Sequence, residues 1–182
     1  MAVFNTKFSG VSSPPVRSPG GTVLSNAVTK KRLSLKDSIN ACNVKMMAQA
    51  GKISNAIQEM ESMSIKIMGI SEMRWPGSGS CNIKEHRIYY SGTCNGQYKS
   101  GVGFIVLKAI AECVNNCVPV LERVILLQIS TLPAQLNIIE VYAPTTDHSD
   151  EEVAECYSQI SGVLQHLPKK DLTIIIEILM PK

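Results

Sequence analysis

Three polar residues stand where runs of apolar sequence break off: Asn43 near the end of 39–44, Glu72 just past Ile70-Ser71, and Tyr142 at the close of 136–141, before Ala143-Pro144-Thr145. A carboxylate is a hard oxygen donor suited to Mg²⁺, and a phenol and an amide hydrogen-bond phosphate oxygens. In layered α/β folds, sites gather at the carboxyl ends of strands, where loops leave the sheet. Parallel strands ending at these residues would therefore place all three on one rim. The bland reading competes, because a lone glutamate after a strand is ordinarily a solvated loop charge and spacing alone names no enzyme. Cys113-x-x-x-Cys117 suggests zinc, but the spacing is loose, no second pair completes four ligands, and His86, His148 and His166 are scattered. Buried or half-buried thiols are the simpler reading of those cysteines.

The elements that must position these groups are legible as a change of period along the chain. Ile39 to Val44 is a candidate strand. Ile53, Ile57, Met60 and Met63 recur at helical intervals and define a helix over about 46–63. A strand with alternate apolar positions follows at 65–70, stopped by the loop Trp75-Pro76-Gly77-Ser78-Gly79. Strand-like runs at 86–91, 101–107, 123–130 and 136–142 read as a hairpin meander. Asp147 to Asp150 with Glu151 and Glu152 marks a helix start, and Val153, Tyr157, Ile160, Leu164 and Leu167 form its expected buried stripe. Pro168 ends that helix, and Leu172 to Ile176 is apolar on both faces, as in a strand central to a covered sheet. Together these elements predict an α/β layered sandwich with a mixed sheet.

Composition bounds the alternatives. With 182 residues, 45% of them hydrophobic and 18% charged, the chain has room for one globular core. Its apolar runs fall far short of the roughly 20 residues of a spanning helix, so no membrane role is expected. The net charge of +3 is unevenly spread: residues 1–37 carry six basic side chains against Asp37 alone, leaving the rest with a net −2. Residues 1–38, rich in Pro, Gly, Ser and Thr, read as a disordered basic leader ahead of a domain at 39–182. That leader is a flexible extension, a targeting segment, or a basic contact around Lys30-Lys31-Arg32. Six cysteines in a chain of this size with no apolar start read as free thiols, hence an intracellular setting, nucleus or cytoplasm, and not secretion.

A resemblance sharpens the reading. The strings Gly69-Ile70-Ser71-Glu72-Met73-Arg74-Trp75-Pro76-Gly77-Ser78-Gly79, Tyr90-Ser91-Gly92, Gly101-Val102-Gly103-Phe104, Val141-Tyr142-Ala143-Pro144-Thr145-Thr146-Asp147 and Pro168-Lys169-Lys170-Asp171 occur in this order. In that order and over about 39–177, the chain resembles the apurinic-type endonuclease domain of non-LTR retrotransposons. The nearest look is to the group labelled craniofacial development protein 2-like or endonuclease-reverse transcriptase. The resemblance implies a partial endonuclease/exonuclease/phosphatase-type αββα sandwich with mixed sheets. It also implies Mg²⁺-dependent hydrolysis of a DNA phosphodiester, used by the parent element to nick its target and prime reverse transcription. By residue, Glu72 matches the magnesium ligand, Asn43 the asparagine of the opening strand, and Tyr142 the active-site tyrosine. Arg74 and Trp75, beside the ligand, are the expected DNA contacts.

The departures point the other way on activity. Where the family strand runs into Gly-Asp-Phe-Asn, this chain reads Glu177-Ile178-Leu179-Met180, so the Asp falls on Ile178 and the Asn on Met180. Neither side chain accepts a proton or orients water. Glu177 is one residue off and should face the other side of its strand. Cys42 stands where the family has Trp, Lys45 where it has Arg, and the later Ser-Asp-His motif is not met before Lys182. The expectation is a truncated copy without useful nuclease activity, or a remnant that binds DNA or protein without cutting. The apolar run 174–180 is an aggregation hazard when unpaired, which predicts a protein partner covering that strand.

Overall fold

The computed structural model describes residues 3–6, 32–34, 39–44, 51–93, 101–144 and 149–178. In chain order the elements are β1 (Val3–Thr6), β2 (Leu33–Ser34), β3 (Ile39–Val44), α1 (Lys52–Ser62), β4 (Ile67–Ser71), β5 (Ser78–Ile83), β6 (His86–Ser91), β7 (Val102–Leu107), α2 (Lys108–Ala111), β8 (Val114–Leu121), β9 (Val124–Ile129), β10 (Thr131–Leu132), β11 (Leu136–Tyr142), α3 (Asp150–His166) and β12 (Leu172–Ile178). Six strands form one sheet in the order β1-β3-β4-β7-β6-β5, four form a second in the order β12-β11-β9-β8, and β10 pairs with β2 alone. Parallel pairing joins β3 to β4 and β11 to β12, while β4–β7 and β9–β11 are antiparallel, so both sheets are mixed.

Side-chain alternation explains the layering. Ile67 of β4, Phe104 and Val106 of β7, Leu127 of β9 and Ile138 of β11 meet between the two sheets. The alternate residues Met68, Ile70 and Ile105 turn outward and pack beneath Ile53, Ile57 and Met60 of α1. On the other side, Leu126, Ile139 and Val141 pack beneath Cys156 and Ile160 of α3. The order helix, sheet, sheet, helix is the expected αββα sandwich.

Several expectations need correction. The buried stripe of α3 runs through Cys156 and Ile160, with Val163 and Leu167 packed against them, while Tyr157 is 49% exposed. The Tyr157 hydroxyl instead reaches Glu177 of β12 at 3.1 Å. Met63 lies past the last turn of α1 as its C-cap and is exposed. The strand Leu172–Ile178 is not central: it occupies a sheet edge, with Ile176 in the core and Ile175 45% exposed. Its apolar outward positions misled the reading, since only alternate residues find cover. Within the leader, β1 pairs antiparallel with β3 and β2 pairs with β10. The rest of that leader, and the start of the expected helix at 46–50, lie outside the described residues. Strands β5 and β8 have no clear apolar alternation and were invisible to periodicity; they show mostly exposed and half-buried residues.

The helix start near 147–150 resolves to a capping box. Ser149 Oγ accepts the Glu152 N–H at 3.3 Å, and the Ser149 N–H donates to the Glu152 carboxylate at 3.1 Å. Asp150, Glu151 and Glu152 fill the first turn, where the positive end of the helix dipole favours acids. No helix among the described residues is long and apolar enough to cross a membrane.

Candidate active site

The segment leaving β4 is built to present polar groups. Glu72 and Arg74 both adopt left-handed backbone conformations, with φ of 53° and 52°, which non-glycine residues adopt at a cost of about 1–3 kcal/mol. Between them Met73 is buried in the core under α1, and its N–H donates to the Gly101 carbonyl at 3.0 Å. With Met73 as anchor, Glu72 and Arg74 are held at the sheet end. Further on, the Gly92 N–H donates to the Gly77 carbonyl at 2.8 Å, tying the 75–79 loop to the end of β6. A side chain at Gly92 would run into the Trp75 carbonyl, so this close approach requires glycine.

Across the sandwich, Tyr142 ends β11 and points at the same rim. Its hydroxyl donates to Glu72 Oε1 at 3.3 Å, and Arg74 Nη2 lies 3.4 Å from Glu72 Oε2. The Glu72 side chain is nearly buried and the Arg74 side chain 40% exposed, so this ion pair contributes no more than about 1 kcal/mol. The Arg123 guanidinium sits 5.2 Å over the Tyr142 ring, and the Arg123 carbonyl accepts the Tyr142 N–H. Burial, followed by the negative charge of Glu72 and its hydrogen bond, raises the Tyr142 phenol above its ordinary value. Tyr142 is therefore a neutral donor at pH 7. Two guanidinium groups, a phenol and a carboxylate form a compact set that suits a phosphodiester and its counter-ion.

The structure thus brings Glu72, Tyr142 and Arg74 together, as the sequence pattern anticipates. Trp75 stands next to them and packs edge-on against Tyr90, with ring centroids 5.1 Å apart at 77°. Asn43 lies on β3 in register with Gly69 of β4, on the strand beside the one that carries Glu72. Its side chain lies outside the described residues. Ile178 pairs with Tyr142 across β11–β12, so the strand position next to the phenol is an isoleucine. Glu177 is bonded to Tyr157 of α3, on the opposite face from the rim.

Sequence reasoning missed three residues here. Arg123 sits in the turn between β8 and β9 and carries no signal of its own. Glu140 and Ser71 are fully buried polar residues. Glu140 was findable as the one acid within the apolar run Leu136–Tyr142.

The Mg²⁺ implied by the resemblance needs hard oxygen donors. Among the described residues no group of three or more His, Cys, Asp or Glu is placed to hold a metal. Mg²⁺ is commonly held by one or two carboxylates and completes its shell with waters and substrate phosphates. Glu72, nearly buried at the rim with its oxygens directed at Tyr142 and Arg74, fits as the protein ligand of such an open site. The four described cysteines are free thiols. Burial raises the Cys117 thiol to about 12, which makes it a poor ligand and nucleophile.

No family model matches the chain. Craniofacial development protein 2 of cattle (Bos taurus) is 36% identical over 138 residues, 76% of this chain and 23% of that protein. The protein of the same name from Tragulus javanicus is also 36% identical over 138 residues. The chain thus spans about a quarter of the length of these curated relatives. Among solved structures, an AP endonuclease from Archaeoglobus fulgidus superposes with a TM-score of 0.54 at 13% identity, covering 75% of this chain and 55% of that one. The endonuclease domain of TRAS1, a telomere-specific non-LTR retrotransposon, gives a TM-score of 0.51 at 13% identity over 74% and 56%. The Xenopus laevis APE2 catalytic domain gives 0.52 at 12% identity over 75% and 56%.

Proposed function

Because the chain belongs by fold to the apurinic-type endonucleases of the endonuclease/exonuclease/phosphatase superfamily, we propose that it binds duplex DNA at the Glu72 rim in the presence of Mg²⁺ and does not cut it efficiently. The observation that carries this reading is the buried contact between Tyr142 and Glu72 at 3.3 Å, flanked by Arg74 and Arg123. A bound Mg²⁺ would supply charge neutralisation and Lewis-acid polarisation of a phosphoryl oxygen. Around it, the Tyr142 hydroxyl donates a hydrogen bond, and Arg74 and Arg123 offer positive charge to the phosphate backbone. Trp75, set by Tyr90, gives an aromatic face at the edge of the rim.

The failure to cut follows from what is missing. Hydrolysis needs a base placed against the attacking water and donors placed against the developing charge. Ile178 fills the strand position beside Tyr142 and Glu177 turns to the far face, so β12 delivers no carboxylate to the rim. Losing one member of such a unit typically costs orders of magnitude in rate. On this reading the chain is a degenerate relative of a retrotransposon endonuclease that keeps the DNA-holding half of the site. Incubation of supercoiled plasmid with the chain and MgCl₂ should give no more nicked product than Glu72→Ala does. Nicking that depends on Glu72 would overturn the inactive half of the reading.

A second reading, a protein partner laid along β12, is favoured by that strand's place at the sheet edge with Ile175 exposed. Sedimentation velocity should then show self-association or aggregation that Ile175→Lys suppresses.

A further inference from the structure

Below the rim lies a second polar set that DNA binding as described leaves unused. The positions of β4 that face the other sheet are Ile67, Gly69 and Ser71, because Ile67 joins the inter-sheet core while Met68 and Ile70 pack under α1. The matching positions of β11 are Leu136, Ile138, Glu140 and Tyr142. Glu140 is fully buried, and its carboxylate lies directly against Gly69: a Cβ there would collide with Oε2 and stand 2.7 Å from Cδ. Ser71 is fully buried too, and its Oγ has no hydrogen-bond partner among the described residues.

These groups form a sequence in space. The Glu140 carboxylate sits over Gly69, the Ser71 hydroxyl stands one inward position higher, and Glu72 with Tyr142 closes the row at the rim. Asn43 stands beside Gly69 in the register of the neighbouring strand. A buried hydroxyl without a partner costs about 1–3 kcal/mol, and a carboxylate removed from water costs more unless charge or hydrogen bonds compensate it. An apolar core needs neither group at these positions.

We propose that Glu140 and Ser71 form the inner wall of the divalent-cation site whose outer ligand is Glu72, so that the cation is held from the protein side by oxygens of both acids and of the hydroxyl. Gly69 is the residue that makes room for this arrangement. The inference rests on the reading of Glu72 as the cation-facing carboxylate and extends it to residues inside the sandwich. The acid that β12 does not supply is thus replaced, for holding the cation, by one on β11. Proton transfer is not restored by it.

The test is a titration of the full-length, EDTA-washed chain with MnCl₂, following free Mn²⁺ by electron paramagnetic resonance, with metal-free melts by circular dichroism. Glu72→Gln should abolish binding, and Glu140→Gln should weaken it about 10- to 100-fold. Ser71→Ala should raise the metal-free melting temperature, because it removes an unpartnered hydroxyl, and yet weaken Mn²⁺ binding. That opposition is a signature a purely structural role does not give. If the unaltered chain and both inner variants bind alike while Glu72→Gln does not bind, the inner wall is refuted and the rim reading stands. If the unaltered chain takes no Mn²⁺, both fall. Should Glu140→Gln fail to fold, Ser71→Ala decides: affinity equal to that of the unaltered chain refutes the proposal.

Discussion

Replacing Gly69 with alanine should destabilise the protein although the backbone there welcomes it. Gly69 is not among the residues with left-handed φ, and alanine in a strand gains about 0.5–1 kcal/mol over glycine. Against that gain, the new Cβ would collide with Glu140 Oε2 and lie 2.7 Å from its Cδ and 3.2 Å from Oε1. Glu140 is the far end of a flexible side chain, but it is fully buried and cannot swing into water. Overpacking of this kind typically costs about 1–3 kcal/mol, so the net expectation is a loss of about 1–2 kcal/mol. In a Glu140→Ala background the obstacle is gone, and the same Gly69→Ala change should become neutral or stabilising by up to about 1 kcal/mol. The pair should therefore couple by about 2–3 kcal/mol, measured by urea unfolding of the four proteins in a double-mutant cycle. Equal effects of Gly69→Ala in both backgrounds would refute the packing of this carboxylate against β4, and with it the inner wall of the site.

Other consequences are smaller or more local. Ser149→Ala removes one arm of the capping box and should cost about 1 kcal/mol in thermal or urea unfolding, whereas Ser149→Asp should be nearly neutral. The Cys117 thiol, raised by burial from 9.0 to about 12, holds its proton more tightly in the folded state than in the unfolded one. Folding stability should therefore decline as pH rises from about 9 towards 12, by at most about 1.4 kcal/mol per pH unit from this group, and Cys117→Ala should flatten that decline. Trp75→Ala should weaken DNA binding by about 1–3 kcal/mol if its ring stacks on a base, and Tyr90→Phe, which keeps the edge-on ring contact, should preserve affinity.

The layers of the fold were legible because they rest on periodicity. Leu136–Tyr142 and Ile39–Val44 carry uninterrupted strand patterns and form strands with those bounds. The stripe of α1 was readable from Ile53, Ile57 and Met60 for the same reason. Position within a sheet was not legible: Leu172–Ile178 looks central by composition and lies at an edge, because apolarity reports what a strand tolerates and not which strands flank it. Tyr157 was misplaced because a helical stripe of large residues fits either of two adjacent faces, and the smaller Cys156 takes the buried one. At the rim, Glu72, Arg74 and Tyr142 were identifiable from strand ends and motif. Arg123 and Ser71 were not, since nothing local marks a turn arginine or a strand serine as part of a site formed by two sheets.

The most direct test of the central claim is fluorescence anisotropy of an end-labelled duplex titrated with the chain lacking residues 1–37, in MgCl₂ and in EDTA, with Glu72→Gln alongside and each sample run afterwards on a denaturing gel. Removing the basic leader isolates the rim, because six of the chain's 18 Lys and Arg lie there. The predicted result is Mg²⁺-dependent binding that Glu72→Gln loses, with the oligonucleotide intact. Binding unchanged by EDTA and by Glu72→Gln, or no binding at all, would contradict a DNA-holding site at Glu72 and Tyr142.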